Sequence, residues 1–247
     1  ITNLTTNMYI ESGDTDKAIE TLNNSSANTN DASVKESNTA KIITLKLQKK
    51  DYKDIEKYIA ELPTEEERTY YSAQYYAAKK DPKAVKEYET LLQYDKYKAY
   101  ASKGLGDYYF DKKDLSKAKK YYGTYATVNK NPDEYILYRL GQANEKENNL
   151  KMALTDYKAV YSKNGKLAND AMLKAAEIYD KQENVAEAEK LFTKLYAVKN
   201  NKELKAYSME KLIYYKLVKN NTKEAKKLYD ELKKLDAKRA EKFKAYF

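Results

Sequence analysis

The sequence has no cysteine, no histidine and no tryptophan among its 247 residues, and only six glycines and three prolines. Without cysteine there are no disulfides, thiolate nucleophiles or cysteine metal sites. Without histidine the imidazole base and the commonest metal ligand are missing. So few glycines and prolines leave too little punctuation for a strand-rich fold. No stretch approaches ~18 consecutive apolar residues, so no transmembrane segment is expected; the longest apolar region, Ala40–Leu47, is interrupted by Lys41 and Lys46. There is no signal-type apolar core, and the chain opens at Ile1 rather than Met, which fits a processed mature protein or an excised domain.

Charged residues make up 34% of the chain and the mean hydropathy is −0.94, values that would suit disorder were it not for 27 tyrosines and a hydrophobic content of 42%. Helical periodicity runs almost throughout, broken by short polar stretches at 12–15, 49–51, 111–114, 147–149, 181–184 and 219–222. After each break comes an apolar helix, and most carry Ala-x-x-x-aromatic or Ala-x-x-x-Leu. The alanines are Ala18, Ala84, Ala118, Ala153, Ala188 and Ala225, the last five separated by 34, 35, 35 and 37 residues. The 66-residue gap after Ala18 has room for one more unit, with Ile55 as a degenerate anchor. Such a period belongs to stacked helix pairs, which cannot bury their apolar faces alone and must lean on neighbours. Helix starts are expected at Thr64 to Glu67, Asp81-Pro82, Asn184 to Glu187 and Asn221 to Glu224, and at Asn131-Pro132-Asp133-Glu134 with Asn131 as the cap.

The best units read Leu105-Gly106, Tyr109, Ala118, Tyr122; then Leu140-Gly141, Asn144, Ala153, Tyr157; then Ala175-Ala176, Tyr179, Ala188, Phe192. This pattern resembles the tetratricopeptide repeat family, whose motif W-x2-L-G-x2-Y, A-x3-F, P spans about 34 residues. The tryptophan is missing in every unit and the closing proline is clear in none. The expected fold is all-α, a right-handed superhelical α-solenoid of about seven antiparallel helix pairs. One domain is expected over 1–247, with degenerate repeats at 1–67, the best repeats at 68–197 and a capping repeat at 198–247.

Tyrosines closing the Ala-x-x-x-aromatic pattern (Tyr88, Tyr122, Tyr157, Tyr229) read as packing residues. A second group falls on the first helix of each pair, where the resemblance implies a concave wall: Tyr70, Tyr76, Tyr100, Tyr135, Tyr138, Tyr207 and Tyr214. Tyrosine brings large area, few rotamers and a hydroxyl, which suits capture of a peptide. Lys103, Arg139, Lys174 and Lys211 share the register and are expected to neutralise acids on such a partner. The carboxylate clamp of chaperone-binding repeat domains is not implied, because its places hold Lys103, Asp107, Tyr138 and Gln142.

Residues 201–247 hold 14 Lys and Arg against seven acids, so most of the net charge of +9 sits there. Nucleic-acid binding would favour arginine, yet only Arg68, Arg139 and Arg239 occur. Carboxylate pairs such as Asp14/Asp16 and Asp111/Asp114 sit where helix capping explains them, and no glycine-rich phosphate loop appears. The reading is a non-catalytic scaffold that binds a protein or peptide segment, without cofactor or metal. Its setting is expected in the bacterial periplasm or cell envelope rather than the cytoplasm, with a role in envelope assembly. Self-association through Leu228, Leu232, Leu235 and Phe243 is a further use of surface. The alternative is a binder of nucleic acid or another anionic polymer through the basic C-terminal part.

Overall fold

The computed structural model describes the backbone of residues 2–247 and side chains from residue 4 on. Ile1, read above as a processed or excised start, lies outside the described residues. Helices alternate with short turns in seven antiparallel pairs: α1 (Thr2–Glu11) with α2 (Thr15–Ala27), α3 (Ala32–Lys49) with α4 (Ile55–Ala60), α5 (Glu65–Ala78) with α6 (Lys83–Leu91), and α7 (Asp95–Asp111) with α8 (Leu115–Val128). There follow α9 (Glu134–Lys146) with α10 (Leu150–Tyr161), α11 (Ala168–Lys181) with α12 (Val185–Tyr196), and α13 (Lys202–Val218) with α14 (Thr222–Leu235). A short α15 (Ala237–Ala240) and a 3-10 turn (Glu241–Tyr246) close the chain. No strand occurs among the described residues. The fold is an all-α repeat, divided into two compact units, one ending at Lys130 and one spanning Asn131–Phe247.

Helix starts follow the caps in most pairs. Asp14, Thr64, Asp114, Asn184 and Asn221 each accept the backbone N–H three residues on, satisfying an amide that the helix leaves unpaired. Asp81 accepts from the Lys83 amide at 2.9 Å, so α6 begins just after Pro82. Asn131 is a correction. The cap of α9 is Asp133, whose carboxylate accepts the Tyr135 amide at 2.8 Å. Asn131 instead accepts from Lys163. Glu134 reaches forward to the Lys166 and Leu167 amides just ahead of α11 (3.0 and 3.5 Å).

The turns inside the pairs share one backbone device. Gly13, Lys50, Lys80, Lys113, Asn148, Glu183 and Asn220 all take positive φ, each just after the first helix of its pair. A left-handed residue ends a helix and reverses the chain, a task glycine does without steric cost. Only the first of the seven is glycine.

Packing explains the alanine series. All six alanines are buried, as are Ile55 and the residues four beyond the alanines: Leu22, Tyr88, Tyr122, Tyr157, Phe192 and Tyr229. Each buried aromatic of this kind contributes about 2 kcal/mol. Tyr122 and Tyr157 lie so close to the partner helix that a Cβ on Gly106 or Gly141 would meet their rings at 2.4 and 2.8 Å. Position 176, one period further, is alanine and is buried in one core cluster with Phe192.

In the last pair, Ala206, Met209, Ile213, Tyr229 and Leu232 pack with Ala240 and Phe243 of the closing segment, Leu228, Leu235 and Phe247 flanking them. The four residues considered above for self-association therefore sit in or against the chain's own core.

Candidate interaction surface

The sequence-predicted site residues fall into two sets. Tyr135, Tyr138, Arg139, Lys174, Tyr207, Lys211 and Tyr214 lie in the unit 131–247, on α9, α11 and α13, the first helices of three successive pairs.

A repeating ionic rung joins these helices. Lys174 of α11 reaches back to Glu145 of α9 at 4.0 Å, with Glu177 at 3.6 Å. One repeat on, Lys211 of α13 reaches back to Asp180 of α11 at 2.6 Å. The same two carboxylates also accept buried tyrosine hydroxyls, Tyr157 on Glu145 at 2.7 Å and Tyr215 on Asp180. Burial works to raise the Asp180 pKa, but the Lys211 and Tyr215 hydrogen bonds outweigh it and hold the carboxyl below its usual range. Burial, then the acid hydrogen bonds, push both tyrosine hydroxyls up. Lys174 and Lys211, expected to meet a partner's acids, thus already neutralise acids of the chain. Sequence reasoning missed Glu145 and Asp180, although they stand 35 residues apart, in phase with the repeat.

The tyrosines divide by burial. Tyr138 packs on Tyr157 at 5.6 Å between centroids, and Tyr207 on Phe192 edge-to-face at 5.9 Å, its hydroxyl donating to Glu177 at 3.5 Å. Tyr135 accepts from Arg139 Nε at 3.0 Å while the guanidinium lies over its ring. Tyr214 differs, being 57% exposed, with Val218 one turn on at 59%. Both line a groove of about 700 Å³ whose other walls are Asp180, Glu183, Val185, Glu210 and Lys211, with Phe243 beneath. A smaller depression of about 320 Å³ lies between α9 and α11 around Gln142, Glu145, Lys174 and Ile178.

Tyr70, Tyr76, Tyr100 and Lys103 belong to the other unit. Tyr70 stacks on Tyr97 (4.7 Å) and lies 4.9 Å from Tyr100, which in turn contacts Tyr88 at 5.6 Å. Burial, then the neighbouring Tyr88, push the Tyr100 hydroxyl up. Tyr76 sits beside Tyr75 with the Lys83 ammonium over its ring. Lys103 follows Tyr100 on α7 and is half-buried. These rings pack helices against one another.

Among the described residues no three carboxylates converge to hold a metal ion. No described helix is long and apolar enough to cross a membrane.

A family model for the tetratricopeptide repeat matches residues 170–197, which covers most of α11 and all of α12. No curated protein matches the chain significantly. Among solved structures, the C-terminal part of a TPR repeat-containing protein from Cytophaga hutchinsonii is similar with a TM-score of 0.74 at 18% identity, over 96% of each chain. The Pseudomonas aeruginosa protein PilF gives 0.54 at 15% identity, over 86% of this chain and 97% of its own. MamA gives 0.53 at 19%, over 68% and 90%. Residues 170–197 form a tetratricopeptide repeat, and the chain has the all-α repeat fold of tetratricopeptide-repeat proteins.

Proposed function

We propose that the chain is a non-catalytic scaffold that binds a protein or peptide segment along the first helices α9, α11 and α13. The observation that carries this reading is the groove beneath Tyr214 and Val218. An exposed ring and an exposed branched side chain stand one turn apart over a cavity large enough for one or two apolar side chains. Around it the rungs hold α11 and α13 in place, so the wall is ordered before a partner arrives and less entropy is lost on docking. The remaining wall residues, Tyr135 with Arg139 and Lys174, supply polar edges rather than free charges. We place the role in the bacterial cell envelope on composition, and fractionation of the source organism checks that setting.

A photo-crosslinking residue at Tyr214 tests the site. The expected result is a discrete protein adduct in the native organism, lost when Val218 is replaced by Asp. Adducts formed only from an outer-face position such as Lys194 would move the site elsewhere.

A further inference from the structure

The last 47 residues hold 14 Lys and Arg and seven acids, and the structure shows where that imbalance goes. Every one of the seven acids is engaged. Glu210 takes Arg239 (3.1 Å) and Lys242 (2.6 Å), Asp236 takes Arg239 (3.2 Å), and Glu203 lies 3.9 Å from Arg239. Glu224 pairs with Lys216 (2.7 Å), Asp230 with Lys226 (2.8 Å) and Glu241 with Lys244 (3.0 Å); Glu231 accepts the Tyr196 hydroxyl (2.7 Å). Five exposed lysines on α14 and α15 are left with no carboxylate partner: Lys223, Lys227, Lys233, Lys234 and Lys238. Lys223, Lys227 and Lys234 lie on one side of α14, since steps of four and seven residues return to nearly the same side of a helix; the exposed Asp230 among them is taken by Lys226, so the side keeps a net positive charge. Lys223 and Lys227 stand about 6 Å apart, inside the Debye length of about 8 Å at physiological salt, so their fields add, and Lys234 follows about 10 Å further along the axis.

We propose that this face of α14 docks on an anionic phospholipid surface. The face has no free arginine and no aromatic ring between its lysines. Protein interfaces are enriched in arginine and aromatics and depleted in lysine. Binders of single-stranded nucleic acid add stacking rings. Flexible ammonium groups along a helix about 21 Å long suit a plane of diffuse negative charge, to which each lysine adds attraction without a shaped pocket. The apolar side of α14 (Ala225, Tyr229, Leu232) is buried in the core, so the contact is electrostatic, with nothing inserted into the lipid. This inference is independent of the groove beneath Tyr214.

The test is co-sedimentation of the full chain with phosphatidylcholine vesicles, with and without phosphatidylglycerol. Binding is expected only to the anionic vesicles, and is expected to disappear as salt is raised. The triple variant Lys223→Gln, Lys227→Gln, Lys234→Gln should bind about tenfold or more weakly, whereas Lys35→Gln, Lys53→Gln, Lys57→Gln, which removes the same charge from the other unit, should bind as the unaltered chain does. Equal binding to neutral vesicles, binding that survives high salt, an equal loss in both variants, or a preference for RNA over the anionic vesicles would each overturn the proposal.

Discussion

At the scale of single residues, two positions carry costs that a substitution can remove. Glu183 holds a left-handed conformation (φ 58°) in the turn between α11 and α12, where its side chain offers no compensating contact among the described residues. Glu183→Gly is expected to raise stability by about 0.5–1 kcal/mol, read as a higher urea midpoint with an unchanged slope. Asp156 is buried on α10, where Asn144 donates to it at 2.8 Å. Burial pushes its carboxyl up to about 6 from an ordinary value of 3.8, the Asn144 hydrogen bond only partly opposing this. A group raised in the folded state stabilises fully below its unfolded pKa and loses that contribution as pH climbs through the folded value. The chain should therefore lose roughly 2–3 kcal/mol from this group between about pH 4 and pH 7. Asp156→Asn keeps an acceptor for Asn144 and should flatten the loss, as denaturant titrations at pH 4.5 and pH 7 would reveal. Asn144 occupies the place where the repeat motif puts an aromatic; its partner lies twelve residues away on the next helix, so the exchange is meaningful only once both helices are paired.

At the scale of elements, the rungs matter more than the exposed ion pairs. Asp180 serves both Lys211 and the Tyr215 hydroxyl, and Tyr215 is almost fully buried. Asp180→Ala strands that hydroxyl and should cost about 2 kcal/mol, while Lys211→Ala, which leaves Asp180 bonded to Tyr215, should cost less than half as much; thermal melts of the two variants side by side decide it. Gly106 makes the complementary point. Alanine there gains helix propensity of about 1 kcal/mol but drives a Cβ into the Tyr122 ring, and a net loss of about 1–2 kcal/mol is expected. The hairpins were legible because alanine, the residue four beyond it and the polar break recur together every 34 to 37 residues. The in-pair turns were legible as polar breaks, but not as left-handed residues, since Lys113 and Glu183 carry no local mark of that conformation. The wall was half legible. Its tyrosines and lysines share a register visible in the sequence, whereas their occupation by Glu145, Glu177 and Asp180 depends on how adjacent hairpins lean.

At the scale of the whole molecule, the chain is a succession of similar hairpins gathered in two units, with several ion pairs joining neighbouring hairpins. In such an array stability is close to a sum of hairpin and interface contributions. Hydrogen exchange of the Asp180→Ala variant should accordingly quicken in α11 and α13, while α5 to α8 keep the protection they have in the unaltered chain. Uniform quickening throughout would mean that the array unfolds as one body. The surplus of positive charge in the last 47 residues follows from the same pairing, since all seven acids there are engaged while five exposed lysines of α14 and α15 have no carboxylate partner.

The rungs also set how unit 131–247 answers to a pull. Lys174 on Glu145 and Lys211 on Asp180 each clip one hairpin to the next and to no other. Each junction between hairpins can part without the next one parting, so under a pull at the C-terminus the wall would give way as a row of catches, the one between α11 and α13 reinforced by Lys216 and Lys219 on Glu189. A partner seated across α11 and α13 would brace the catch beneath it, so that occupancy could be read as a rise in rupture force at that hairpin alone.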